Sequence, residues 1–111
     1  MTDLLFNTQP DKLVYAFDLF DRKHKRSLKN FRFRVSTYGI LFNQNKLLVQ
    51  RHPKLTTFGL PGGGGEIGEK LNDSLFREFE EETGLKIAIS KLFSVTEDFF
   101  TYKGQDAHSI L

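Results

Sequence analysis

The chain has 111 residues, of which 39% are apolar and none is cysteine, so it is long enough for one small domain and cannot contain disulfide bridges or thiolate metal sites. No apolar run approaches the roughly 20 residues that span a bilayer, and the N-terminus does not resemble a signal peptide, so we expect a cytoplasmic protein. The net charge is +2, but residues 66–82 contain seven of the 14 acidic residues and only two basic ones, which leaves −5 in that segment and +7 elsewhere.

The N-terminal segment, residues 1–28, gives no clear prediction of structure. Residues 1–12 are polar, and we expect them to be loosely ordered. Leu13–Phe20 is apolar but is interrupted by Asp18, so both helix and strand stay open there. Arg22–Lys29 is rich in basic residues and indicates a solvated basic turn. Phosphate steering is the alternative, and too few aromatic residues are interleaved with the bases to indicate a nucleic-acid surface.

A folded domain is predicted over residues 29–111. Phe31–Leu41 begins with strict alternation of apolar and polar residues, which indicates a half-buried strand with its phenylalanines inward. A turn at residues 43–45 is expected to connect this strand to a second one at Lys46–Gln50, giving a hairpin. Phe58–Pro61 is a short extended piece that leads into four glycines.

The second half of the domain is predicted to contain one helix and one hairpin. Asn72–Thr83 has apolar residues four apart, with Asn72 or Asp73 as the N-terminal cap and Gly84 as the stop. Ile87–Phe100 and Ala107–Leu111 are predicted strands, joined by a turn at residues 101–104. The glycines also fit the dinucleotide pattern G-x-G-x-x-G, but glutamates stand where a pyrophosphate would approach and too little chain follows, so we reject that interpretation.

Three glutamates of the predicted helix suggest a metal site. Glu78, Glu81 and Glu82 are spaced i, i+3 and i+4, so they fall within an arc of roughly 100°. Glu82 lies only about 20° from Leu75 around the helix, on the apolar stripe that Leu71 begins. Carboxylates this close repel one another unless a cation neutralises them, and an all-carboxylate set selects Mg²⁺ or Mn²⁺. An ordinary solvated acidic helix is the alternative.

Residues 63–85 resemble the Nudix box, G-x5-E-x7-R-E-U-x-E-E-x-G-U, in which U is a bulky apolar residue. Every fixed position is filled, although Phe79 stands where an aliphatic residue is commoner. The matching residues are Gly63, Glu69, Arg77, Glu78, Phe79, Glu81, Glu82, Gly84 and Leu85. A pattern that fixes this many positions is highly specific and outweighs the interpretation as a solvated helix.

The resemblance implies a Nudix-type α/β/α sandwich around a mixed sheet, in which the box forms loop, helix and loop. It also implies an Mg²⁺- or Mn²⁺-dependent hydrolase in which water attacks one phosphorus of a diphosphate linkage in a nucleoside diphosphate derivative. Glu78, Glu81 and Glu82 would hold the metal, with Glu69 nearby, and Arg77 would orient them. The catalytic residues would accordingly be Glu78, Arg77 and Glu81.

Further roles follow from the same resemblance. Glu78 is the first candidate for the general base, and Glu97, beyond the box, is the second. Gly63 and Gly64 would let the backbone approach the metal and the substrate phosphates. Arg51 would contact those phosphates, with a plain strand-end charge as an equal alternative.

Two rival functions are compatible with a chain of this type. A non-catalytic nucleotide-sensing module is the main alternative, but sensors tend to lose box carboxylates, and this box is intact. An isoprenoid diphosphate isomerase is disfavoured because the chain has no cysteine to act as its usual acid. The leaving group stays open among ADP-ribose, sugar nucleotides, dinucleoside polyphosphates and oxidised nucleoside triphosphates.

The expected partner is a small nucleotide substrate, with neither a membrane nor a specific nucleic acid. Phe99, Phe100 and Tyr102 could stack on a base, although aromatic residues in a strand more often belong to the core. The sequence stops within an apolar strand that lacks charges or proline to protect it, so we expect a domain truncated at its C-terminus. Homodimerisation through that strand is one way to cover it.

Overall fold

The computed structural model describes residues 12–53 and 56–111, which form a mixed β-sheet with one α-helix packed near its edge. The strands and the helix, in chain order, are β1 (Leu13–Phe17), β2 (Lys23–Ser27), β3 (Phe31–Tyr38), β4 (Phe42–Asn43), β5 (Lys46–Leu47), β6 (Gln50–Arg51), β7 (Phe58–Gly59), β8 (Gly62–Gly64), α1 (Leu71–Thr83), β9 (Glu97–Tyr102) and β10 (Gln105–Ile110). Six strands make the main sheet, in the order β2-β1-β9-β10-β3-β8. The predicted α/β class is confirmed.

The sheet is mixed because two of its strand pairs are parallel. β10 runs parallel to β3, and β1 meets β9 in parallel at Phe17 and Phe100. The other neighbours in the main sheet are antiparallel. This topology places the β1–β2 and β9–β10 hairpin turns at the same end of the sheet.

The N-terminal segment contains a hairpin, so the prediction of a solvated basic turn was wrong. Lys23–Ser27 is a strand that pairs along its whole length with β1, and the actual turn lies between Phe17 and Lys23. Asp18 closes that turn, because its Oδ1 accepts hydrogen bonds from the backbone N–H groups of Phe20 and Arg22. The question left open for Leu13–Phe20 is settled as strand for its first five residues, and residues 1–11 lie outside the described part of the chain.

β3 is a strand as predicted, but its alternation does not report burial. Phe33 is 76% exposed and Val35 43% exposed, whereas Ser36 is only 4% exposed. The reason lies in where α1 packs. The ring of Phe79 comes so close to Gly39, just after β3, that a Cβ there would stand 2.6 Å from it. The helix therefore covers the end of β3 and leaves its aromatic beginning open.

The turn at residues 43–45 is confirmed, but the hairpin around it is short. Gln44 and Asn45 both have positive φ, 52° and 62°, as a tight two-residue turn requires. Only Phe42–Asn43 and Lys46–Leu47 pair across it. Gln50–Arg51 belongs to another ladder, since it pairs with Phe58–Gly59.

The helix begins at Leu71, one residue earlier than predicted, and neither Asn72 nor Asp73 caps it. Lys70 is the N-cap residue and makes no side-chain capping hydrogen bond. Gly84 ends the helix as predicted, with a left-handed φ of 75°. The buried positions are Ser74 and Phe79, while Leu71 is 55% exposed. Around the helix, Ser74 and Phe79 lie on either side of Leu75, about 100° and 40° from it, so the inward direction matches the predicted Leu71–Leu75 stripe, and Leu71 is exposed as the first residue of the helix.

The C-terminal hairpin is confirmed with a later start. The strand predicted from Ile87 begins at Glu97, and residues 85–96 have no regular secondary structure. β10 is an interior strand, because β9 and β3 pair with its two sides. The expected unprotected edge is therefore wrong for this strand, and a second chain cannot pair with it there. In the described ranges, no helix is both long and apolar enough to cross a membrane.

Candidate active site

The glycine loop brings backbone close to the helix. Gly62 has a φ of 149°, and a Cβ at this position would stand 2.1 Å from the carbonyl oxygen of Thr37, so only glycine fits. A Cβ on Gly63 would stand 2.8 Å from both Cδ and Oε2 of Glu78. The absence of a side chain at Gly63 therefore makes the space that the Glu78 carboxylate occupies.

Arg77 is the centre of the carboxylate cluster. Its Nε and Nη2 donate to the two oxygens of Glu69 at 2.8 and 3.0 Å, which is a bidentate pair. Its Nη1 donates to Glu78 Oε1 at 3.1 Å and to Glu81 Oε2 at 3.5 Å. Nη2 also donates to the carbonyl oxygen of Gly64 at 3.2 Å. One guanidinium therefore connects the end of β8, the loop that carries Glu69 and the helix residues Glu78 and Glu81.

The electrostatics of this cluster are those of a tight ion pair. The hydrogen bonds from Arg77, aided by one from the backbone N–H of Glu66, lower the pKa of Glu69 to about 2. The same pairing with Glu69 raises the pKa of Arg77 well above its usual range. Both groups stay charged at neutral pH, so the brace persists under physiological conditions.

Glu82 is held by a different set of partners. Its Oε2 accepts hydrogen bonds from Gln50 Nε2 at 2.7 Å and from the backbone N–H of Gly62 at 2.9 Å. The helix is thereby tied to β6 and to the start of the glycine loop. The sequence analysis did not identify Gln50, because a single amide side chain in a short strand has no recognisable pattern. Its position next to Arg51 was the one indication of a role in the site.

The structure places the predicted site residues close together, but their carboxylates do not surround a single metal position. Across residues 12–53 and 56–111, no three carboxylate or imidazole groups converge closely enough to hold one ion. Glu69, Glu78 and Glu81 converge on Arg77 instead, and Glu82 on Gln50 and Gly62. The donor atoms nevertheless suit a hard divalent cation, because they are carboxylate and backbone oxygens. The lack of a side chain at Gly63 leaves room for the Glu78 carboxylate.

Arg51 lies beside a cavity that reaches Glu82. The cavity measures about 380 Å³ and is lined by Gln50, Arg51, Phe58 and Glu82, among others. Arg51 and Phe58 are register partners across β6 and β7, and the Phe58 ring is 67% exposed. The arrangement offers a cation and an aromatic face side by side.

The other candidates lie apart from this cavity. Glu97 Oε2 is 2.7 Å from His108 Nε2 on the neighbouring strand, and its side chain is 62% exposed against 18% for Glu78. Phe99 stacks on His108 with ring centroids 4.4 Å apart. Phe100 and Tyr102 are neighbours on the sheet, with centroids 6.2 Å apart. None of these residues lines the cavity that Arg51 and Glu82 share.

A family model for the NUDIX domain matches residues 32–110, a range that contains the glycine loop, Arg77 and all four box glutamates. The chain belongs to the Nudix family. The resemblance seen in the box is thus extended to most of the chain.

Relatives in the Nudix family align over shorter parts of their own length. An ADP-ribose pyrophosphatase of Methanocaldococcus jannaschii is 34% identical, over 74% of this chain and 56% of that protein. An uncharacterized Nudix hydrolase of Bacillus subtilis is 35% identical, over 68% and 45%. An RNA pyrophosphohydrolase of Ruthia magnifica is 33% identical, over 63% and 40%. The chain spans about half the length of these relatives. No solved structure gives a significant match.

Proposed function

We propose that this Nudix domain, residues 29–111, is a pyrophosphohydrolase that cleaves the diphosphate linkage of a nucleoside diphosphate derivative with Mg²⁺ or Mn²⁺. The observation that carries the proposal is the bracing of Glu69, Glu78 and Glu81 by Arg77 beside the glycine loop. A solvent-exposed helix is stable without a guanidinium that contacts three carboxylates and the carbonyl of Gly64. An arrangement that holds several carboxylates close together is what a divalent cation requires.

The metal would be held by Glu78, Glu81 and Glu82, with Glu69 as a neighbour that keeps Arg77 in place. When bound, a divalent cation neutralises phosphate charge and lowers the pKa of a water molecule. The family membership supports this assignment, because Nudix enzymes generally use divalent cations. The anchored oxygen of Glu82 is Oε2, so its Oε1 is the oxygen that remains for a ligand.

Glu78 is the residue best placed to act as the general base. Its Oε1 accepts from Arg77, and its Oε2 faces the space beside Gly63. That leaves Oε2 to take the proton from the attacking water. Glu97 is the weaker candidate. Its Oε2 forms a hydrogen bond with His108 on the neighbouring strand, away from the glycine loop.

The substrate would approach along the cavity between β6, β7 and the helix. Arg51 would contact its phosphates, and the exposed ring of Phe58 offers a surface for the base or sugar. Gly63 and Gly64 allow the backbone to come close to the phosphates. ADP-ribose is the first substrate to test, since one of the relatives is an ADP-ribose pyrophosphatase.

The test is a substrate screen with purified protein. ADP-ribose, a sugar nucleotide, a dinucleoside tetraphosphate, an oxidised nucleoside triphosphate and 5′-triphosphorylated RNA are each incubated with Mg²⁺, with Mn²⁺ or with EDTA. We expect metal-dependent release of phosphate, pyrophosphate or a nucleoside monophosphate from at least one of them. Tight binding of a nucleotide without turnover would instead favour the nucleotide-sensing module.

The pH profile adds a check on the role of metal. Activity should fall on acidification as the carboxylates protonate, and additional Mg²⁺ should move the midpoint to lower pH by mass action. A midpoint that stays constant over a hundredfold range of Mg²⁺ would show that metal binding is not the titrating event.

A further inference from the structure

Ser74 carries a buried hydroxyl on the inward side of α1. The residue is 0% exposed, and in the described part of the chain no group forms a hydrogen bond with its Oγ. Serine usually stays exposed in folded proteins, and a hydroxyl that is buried without a partner destabilises the folded state. A buried polar group of this kind therefore requires an explanation.

A second hydroxyl of the same helix makes the local hydrogen bond that Ser74 does not make. Thr83 Oγ1 donates to the carbonyl oxygen of Phe79, four residues earlier, at 2.7 Å. The i−4 carbonyl is a common local partner for serine and threonine in a helix. For Ser74 that carbonyl belongs to Lys70, and it accepts from the backbone N–H of Ser74 at 2.9 Å but not from the hydroxyl. The partner of the Ser74 hydroxyl has to be sought outside the helix.

The Ser74 hydroxyl faces the loop between β8 and α1. A Cβ on Gly65 would stand 3.4 Å from Ser74 Oγ and 3.5 Å from the carbonyl oxygen of Val35. That carbonyl accepts from the backbone N–H of Gly65 at 2.8 Å, which fixes the start of the loop on β3. Ser74 is therefore buried against β3 and the loop that leads to Glu69.

The Glu69 carboxylate, at the end of this loop, has room for one more hydrogen bond. Among the described residues, its Oε1 accepts from Arg77 Nη2 at 3.0 Å and from the backbone N–H of Glu66 at 3.1 Å. Its Oε2 accepts from Arg77 Nε at 2.8 Å. A carboxylate oxygen has two lone pairs, so Oε2 can take a second donor. The Ser74 hydroxyl is close enough to contribute to the lowered pKa of Glu69, of which Arg77 is the main cause.

We propose that Ser74 is a positioning residue, whose hydroxyl donates a hydrogen bond to Oε2 of Glu69. Ser74 and Arg77 are three residues apart, so they are neighbours on the helix surface and approach the same carboxylate from adjacent positions. The bond fixes Glu69 against Arg77, and through Arg77 it affects the positions of Glu78 and Glu81. The consequence for catalysis rests on the proposed function, whereas the hydrogen bond itself does not.

A packing role alone explains the small size of Ser74 but not its hydroxyl. Alanine is smaller than serine and fits the same space between α1 and the loop. If size were the reason for serine, the cost of removing its hydroxyl from water would be uncompensated. The two roles therefore predict opposite effects of Ser74→Ala on stability.

Thermal unfolding of the full chain in EDTA tests the hydrogen bond without any requirement for hydrolase activity. Alanine is the better helix former and removes a buried hydroxyl, so Ser74→Ala should raise the melting temperature if the hydroxyl has no partner. We expect the melting temperature to fall instead, by about 5 °C. In the Glu69→Ala background the acceptor is missing, so the same substitution should no longer lower the melting temperature.

Steady-state kinetics measures the consequence for the site. Ser74→Ala should lower kcat by about tenfold, the scale for residues that orient metal ligands. KM should stay nearly unchanged, because the cavity beside Arg51 is not altered. Thr83→Val is the matched control, since it removes a hydroxyl from the same helix that bonds to the backbone groups of Phe79 and Leu85. It should lower the melting temperature without changing kcat.

The result that supports the proposal is a decrease in melting temperature that depends on Glu69, together with a lower kcat. The proposal is overturned if Ser74→Ala leaves the melting temperature unchanged or raises it, or if its effect is the same with and without Glu69. An unchanged kcat in an active parent protein overturns the positioning role. An inactive parent protein would count against the proposed function alone, and the melting temperatures would still decide whether the hydrogen bond forms.

Discussion

Two of the arginine–carboxylate clusters in the described part of the chain differ in how far along the chain the arginine reaches. Arg77 contacts Glu69, eight residues away, and the carbonyl of Gly64, thirteen residues away, and its side chain is 28% exposed. Arg22 contacts Asp18 across a four-residue turn, and its side chain is 68% exposed. The first arginine joins a loop, a strand end and a helix, whereas the second closes the turn in which it lies.

Because Arg77 contacts residues farther away in the chain than Arg22 does, the two arginines have different effects on the structure. Exposed ion pairs between neighbouring residues contribute little, because water competes for both charges. A guanidinium that fixes several elements determines the relative positions of carboxylates that come from different parts of the chain. We therefore expect loss of Arg77 to affect catalysis and loss of Arg22 to leave it unchanged, and the following predictions examine that contrast.

The largest effect is expected at Glu82. Glu82→Gln keeps an oxygen that can accept from Gly62 but removes the charge, and we expect kcat/KM to fall on the order of 10³-fold, as when one electrostatic stabiliser is removed. Glu80 is exposed on the same helix and has no place in the cluster, so Glu80→Gln should be nearly silent. Equal losses in the two variants would contradict the division of the helix into a site face and a solvent face.

The next effect compares the two arginines directly. Arg77→Lys loses the bidentate pair with Glu69 and the hydrogen bond to Gly64, and we expect activity to drop by about 10- to 100-fold, the scale of groups that orient metal ligands. Its melting temperature should also fall. Arg22→Lys should change neither quantity measurably. If both variants lose activity to a similar degree, long reach is not what distinguishes the two clusters.

Gln50 offers a smaller and more selective change. Gln50→Leu keeps the side chain's size but removes the donor to Glu82, and we expect activity to fall by about tenfold. Gln44, exposed in the tight turn, provides the control as Gln44→Asn, which suits the same left-handed conformation. Rescue of Gln50→Leu activity by higher Mg²⁺ would identify the missing function as metal positioning. An equal decrease of activity in the Gln44→Asn control would point to a general effect on folding.

The smallest effect concerns stability against pH. The folded state lowers the pKa of Glu69 from 4.5 to about 2, so it binds this proton more weakly than the unfolded state does. The stabilisation by charged Glu69 is therefore complete above about pH 4.5 and is lost as the pH falls toward 2. The difference in free energy of unfolding between the parent and Glu69→Gln should be larger at pH 6 than at pH 3. A difference that is independent of pH would exclude the ionised carboxylate as its source.

Asp18 provides the local counterpart of that measurement. The hydrogen bond with His24 is the main reason that the pKa of Asp18 lies well below its usual range. Its contribution to stability is likewise lost on acidification. Asp18→Asn should nevertheless retain full activity at neutral pH, whereas Glu69→Gln should not, because Glu69 contacts Arg77 and Asp18 does not.

The sequence was sufficient to predict those features that depend on residues close together along the chain. Gly84 stops the helix because the left-handed conformation suits glycine, and the turn at Gln44 and Asn45 follows from side chains that tolerate positive φ. The bidentate pair between Arg77 and Glu69 is local in the same sense, since it involves only the helix and the loop before it. Burial was predicted poorly, as exposed Phe33 and buried Ser36 show.

The sequence by itself determined the family, the α/β class and the helix that carries the glutamates. Only the tertiary structure decided that Gln50 anchors Glu82, that the basic segment is a strand beside Tyr15, and that β10 is an interior strand. Those three features depend on contacts between strands that lie far apart in the chain. Periodicity indicates which side chains of a strand share a face, but it does not indicate which other strand pairs with it.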